Sequence, residues 1–114
     1  MKLFTRNSQL NFSEENITSL SKSVTELKEV LTKVGTGLGQ QELTNVLAAA
    51  MKKDAKLFKK YVVNDALFGG AGALWELHCG DDQLQSEFRN KFNKFCRDLI
   101  NIGLTNRRIT KAMS

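Results

Sequence analysis

The chain has 114 residues, 41% of them hydrophobic and 25% charged, with no proline and a net charge of +5. These are the proportions of a single globular domain with one core, and they exclude a largely disordered chain. No apolar run approaches the length of a membrane span or of a secretory signal, so a soluble, cytoplasmic protein is expected, with Cys79 and Cys96 as reduced thiols.

Without proline, glycine is the main punctuation and helix is favoured throughout. Residues 1–12 carry no clear element and are expected to be loosely ordered. Ser13 is a good N-cap, and Glu14 and Glu15 follow it at the positive end of the helix dipole. Ile17, Leu20, Val24, Leu27, Leu31 and Val34 then repeat at helical spacing on one narrow stripe, which Gly35 ends. That stripe can pack inside a monomer or across a homodimer.

After the turn Thr36-Gly37-Leu38-Gly39, the residues Leu43, Val46, Leu47, Ala50 and Met51 predict a second helix from about Gln40 to Lys52 or beyond. Leu57, Phe58, Tyr61 and Val62 continue an apolar face, and Asp54 can cap a separate helix, so the pattern fits one long helix or two short ones. A glycine-rich segment follows, Phe68-Gly69-Gly70-Ala71-Gly72, leading into Leu74, Trp75 and Leu77. The last long helix starts near Asp81 or Asp82 and runs through Leu84, Phe88, Phe92, Phe95, Leu99 and Ile102 to Gly103. Residues 104–114 read as a short helical turn or a frayed, loosely ordered tail. The expected fold is an all-α single domain, 1–114, a compact bundle of about four to five helices.

Charge is unevenly distributed along the chain. The net values are +1 for residues 1–39, +3 for 40–63, −4 for 64–83, +2 for 84–104 and +3 for 105–114. The middle is acidic, and it carries the sole tryptophan.

The glycine-rich segment invites comparison with phosphate-binding loops, yet it lacks the Gly-Lys-Ser/Thr ending, has no preceding strand and is acidic. Its glycines suit a tight reversal and close packing, with Phe68, Leu74 and Leu77 filling the core. His78 beside Cys79 lacks the further spaced ligands that zinc needs, and sequence neighbours seldom form a catalytic pair. No catalytic, cofactor-binding or metal-ligating set is therefore expected. Trp75 reads as a core or half-buried residue that can also anchor a partner. Lys52, Lys53, Lys56, Lys59, Lys60, Arg107 and Arg108 are the candidates for a nucleic-acid surface, set against the simpler reading of a solvated basic face.

The spacing Gly69, Gly70, Gly72, Leu74 and Leu77, placed between a Lys-rich helix and a long closing helix, resembles a group of small uncharacterised bacterial helical proteins with a Gly-Gly-x-Gly-x-Leu-x-x-Leu motif, over about residues 15–102. Those proteins commonly have Asn-Asp where this chain has Trp75-Glu76, so no role of that pair carries over. The resemblance implies an immunity protein of a polymorphic or contact-dependent growth inhibition system: a non-enzymatic partner that neutralises a cognate toxin domain. The acidic segment then supplies the expected contact set, Asp65, Trp75, Glu76, Asp81 and Asp82. The alternative is a basic nucleic-acid-associated or regulatory helical protein.

Overall fold

The computed structural model describes residues 10–69, 72–104 and 106–113, apart from the side chain of Asp65. Among these residues there are six α-helices and no strands. The elements are α1 (Glu14–Val34), α2 (Gln40–Met51), α3 (Ala55–Val62), α4 (Asp65–Phe68), a 3₁₀ turn (Leu74–Glu76), α5 (Asp82–Ile102) and α6 (Arg107–Ala112). The fold is all-α, as the hydrophobic spacing predicts. It fits the expected bundle of about four to five helices: α1, α2, α3 and α5 make up most of it, and the short pieces α4 and α6 complete it.

Helix α1 is bounded as the sequence suggests. The Ser13 side chain accepts a hydrogen bond from the Asn16 backbone N–H at 3.1 Å. At the other end Gly35, at φ +87°, and Thr36 turn their N–H groups back to the Leu31 carbonyl, closing the last turn in the left-handed conformation that glycine adopts most readily. The stripe of α1 is used inside the monomer: Leu20, Val24, Leu27 and Leu31 are buried in the core. Ser23 and Val30 are buried as well, since α1 is covered on two sides, by α2 and by α5. The Ser23 hydroxyl avoids an unsatisfied burial by donating to the Leu20 carbonyl one turn back.

Three polar rungs join α1 to α5 in antiparallel register. Lys33 pairs with Glu87 at 3.1 Å, Lys91 with Glu26 at 3.2 Å, and Ser19 donates to Asp98 at 2.8 Å. The Lys91 hydrogen bond, reinforced by the charges of Lys91, Lys94 and Lys22 against a smaller opposing desolvation, holds the Glu26 carboxyl below its ordinary range.

The choice between one long helix and two short ones is decided at Lys53. It is the one non-glycine residue among those described with a positive φ, +58°, and the Asp54 N–H behind it returns to the Ala49 carbonyl at 3.1 Å. That closes α2, and the Asp54 carboxylate caps α3 by accepting from the Leu57 N–H at 3.0 Å. On α3, Phe58 and Val62 face inward, while Lys56, Lys60 and Val63 lie exposed on the opposite side.

Along α5, Phe88, Phe92 and Phe95 form an aromatic column that Phe68 of α4 completes, with ring centroids 5.6 Å from Phe92 and 6.4 Å from Phe95. The described residues nearest the two ends of the chain contact the bundle. Asn11 donates its backbone N–H to the Ile102 carbonyl at 2.7 Å, and Phe12 meets Phe58 edge-on at 5.2 Å. The tail forms α6, capped by Asn106, because Ile109 and Ala112 find apolar surface to bury. No helix among the described residues is long and apolar enough to cross a membrane.

Candidate functional site

The described part of the acidic connection between α4 and α5, residues 72–81, is held by three anchors. Leu74, fully buried, packs at the start of α2 so closely that a Cβ on Gly39 would lie 2.8 Å from its Cδ2. Gln85 ties down the following residues: its Oε1 accepts from the Cys79 N–H at 2.7 Å and its Nε2 donates to the Leu77 carbonyl at 3.0 Å. Arg89, one turn further along α5, donates from Nη1 to the Trp75 carbonyl at 2.9 Å and from Nη2 to the Ala112 carbonyl.

Arg89 is the residue the sequence reading missed. Its guanidinium lies 5.8 and 5.6 Å from the ring centroids of Phe88 and Phe92, and it binds two main-chain carbonyls where a carboxylate would be the ordinary partner. It thereby joins the 3₁₀ turn and α6 to α5. Its Nε is buried with no hydrogen-bond partner. The signal available in the sequence was position: Gln85 and Arg89, one turn apart, flank the Phe stripe on one side of α5, and polar residues next to a core stripe mark where another segment can cross.

Trp75 is half-buried and fixed at both its polar ends. The indole Nε1–H donates to the Gly69 carbonyl at 2.7 Å, and the Trp75 carbonyl is held by Arg89. The ring borders two clefts. One is lined by Phe68, Gly69, Trp75, Arg108 and Lys111; the other by Gly72, Trp75, Glu76, Leu77, His78, Gln85 and Arg89. Tryptophan thus serves the core and the surface together, as an apolar body with a satisfied polar edge.

The remaining members of the acidic set divide. Glu76 is exposed beside the second cleft. Asp81 is the N-cap of α5, its Oδ1 accepting from the Leu84 N–H at 2.9 Å, and Asp82 is exposed in the first turn. Asp65 begins α4, and its side chain lies outside the described residues. Of the acidic residues, Glu76 lines a cleft together with Trp75, and Asp81 is committed to the helix end.

Among the basic candidates Lys52, Lys53, Lys56 and Lys60 are exposed around the start and outer face of α3, and Lys59 is half-buried with a partner inside the chain. Arg107 and Arg108 are exposed on α6, Arg108 also with an internal partner. Phe58 is buried and Tyr61 half-buried against the core, so neither stands among these lysines as a stacking surface for bases.

Comparison with protein-family models, curated proteins and solved structures finds no match to this chain. The site is read from its own chemistry. Among the described residues no three His, Cys, Asp or Glu side chains converge as metal ligands would. His78 is exposed next to the half-buried Cys79, whose thiol is pushed up first by burial and then by the Asp81 charge, the direction opposite to that of an activated nucleophile. Cys96 is buried in the core and its thiol is pushed up to about 12 by desolvation, against the smaller opposing effect of Arg89.

Proposed function

We propose that the chain is a cytoplasmic, non-enzymatic immunity protein that binds and neutralises a cognate bacterial toxin domain through the surface centred on Trp75. The observation that carries this reading is the state of Trp75 itself: half-buried between two clefts, with its indole and its carbonyl both fixed before any partner arrives. An anchor immobilised in this way loses little side-chain freedom on binding, which is the character of a hot-spot residue. Glu76 in one cleft and Arg108 and Lys111 in the other give the surface mixed charge, which sets the orientation of a partner and rejects poorly matched ones.

The test is co-expression with the toxin domain encoded beside it. A stable complex is expected, and Trp75→Ala should weaken it by about 30-fold or more, the size of a hot-spot loss. Absence of a complex with that neighbour, or a Trp75→Ala protein of unchanged affinity, refutes the reading.

A nucleic-acid-associated protein is the second reading, favoured by the exposure of Lys52, Lys53, Lys56 and Lys60 around one helix. It requires binding to DNA or RNA that falls steeply with salt. Negligible binding at low salt removes it.

A further inference from the structure

The two clefts beside Trp75 differ in chemistry, and the one on the α6 side combines an apolar floor with a cationic rim. Phe68, 3% exposed, and the Trp75 indole form the floor, with the Gly69 backbone between them. Arg108 and Lys111 form the rim from positions three residues apart, so that they share one face of α6. Both are exposed. Arg108 also has a partner within the chain, which leaves Lys111 as the cation whose role can be isolated.

We propose that this cleft binds an acidic segment of a partner protein, an apolar side chain resting on Trp75 while an adjacent carboxylate meets Lys111 and Arg108. The half-buried Trp75 asks for an apolar group, because a purely ionic ligand would leave its exposed part in contact with water. The rim asks for negative charge within a residue or two of that group. A continuous polyanion fits poorly, since Glu76 lines the second cleft that Trp75 borders and a phosphate chain continuing past Trp75 into that cleft would meet its charge. The charge wanted is local, as on a Glu or Asp beside a Leu or Phe. The inference rests on the partner-binding reading for the importance of this surface, and not on the partner being a toxin.

Trp75 is the sole tryptophan, so its indole N–H is a single reporter in the nuclear magnetic resonance spectrum of the labelled full chain. The probe is a blocked pentapeptide, Gly-Glu-Leu-Glu-Gly. Its comparators carry Lys in place of both Glu, or Gly in place of Leu, and an oligothymidylate serves as the polyanion. The acidic peptide should shift the Trp75 indole and the amides of residues 108–111 with millimolar affinity. Both comparator peptides should bind at least about fivefold more weakly, and Lys111→Glu should weaken the acidic peptide by about the same factor, the effect of reversing one exposed charge.

No shift with the acidic peptide overturns the proposal. So do equal shifts from the Lys peptide, shifts confined to residues 52–60, or stronger shifts at Trp75 from the oligothymidylate. A failure of the toxin complex leaves these shifts in place, so the two ideas fail separately.

Discussion

Replacing Gly39 by alanine tests the link between the core and the partner surface. Gly39 sits at φ +78° before α2, and a Cβ there would lie 2.8 Å from Cδ2 and 3.4 Å from Cγ of Leu74, which is fully buried. Two costs arise. A left-handed backbone costs a non-glycine residue about 1–2 kcal/mol, and forcing a methyl group against a packed leucine adds about 1–2 kcal/mol more. Gly35→Ala is the control, because Gly35 has a similar φ of +87° and its Cβ would meet nothing within 4 Å. It should lose about 1–2 kcal/mol, the backbone share alone.

Urea denaturation measures both variants against the parent, with Gly39→Ala expected to be roughly 2–4 kcal/mol less stable. A double variant with Leu74→Ala should recover the contact share, making the two changes non-additive by about 1–2 kcal/mol. Leu74 opens the turn that carries Trp75, so the strain should also appear in the tryptophan fluorescence of Gly39→Ala and not of Gly35→Ala. Equal losses in the two glycine variants, or an additive double variant, would refute the reasoning.

Arg89→Met should cost about 2–3 kcal/mol, since it removes hydrogen bonds to the Trp75 and Ala112 carbonyls, and hydrogen exchange should show α6 losing protection first. Ser19→Ala strips the buried Asp98 carboxyl, 5% exposed, of its one hydrogen bond among the described residues, and should lower stability by about 1–3 kcal/mol in the same urea assay. A thiol reagent should modify Cys79 in the native protein and reach Cys96 only on unfolding. Cys96 keeps its proton to about 12 when folded, whereas an unfolded cysteine loses it near about 8.5. The unfolded state therefore holds fewer protons between those values. Stability attributable to this group is complete below about pH 8.5 and falls by up to roughly 1.4 kcal/mol per unit as pH rises toward 12. The slope should flatten in Cys96→Ala.

Much of the fold was legible because its signals are local. The Ser13 cap, the Gly35 stop, the stripe from Leu20 to Leu31 and the Phe stripe of α5 each lie within one helix, and the structure places them where their spacing puts them. The break between α2 and α3 was ambiguous because it depends on the backbone of Lys53, a residue with no special preference for positive φ. The tail left a short helical turn and a frayed end both open: six residues of helix have no stability of their own, and α6 exists because α4 and α5 offer Ile109 and Ala112 a surface.

For the site, composition marked the segment, and position in space assigned its residues. The sequence by itself determined a proline-free helical chain with one acidic connection, a sole tryptophan inside it and basic segments on both sides. Tertiary structure decided that Trp75 is fixed by Gly69 and Arg89, that Asp81 serves a helix end, and that Lys111 and Arg108 arrive beside Trp75 from more than thirty residues away. Helix periodicity is a short-range property that neighbouring residues encode together. The meeting of a carbonyl, a guanidinium and an indole from three segments depends on how the whole core closes.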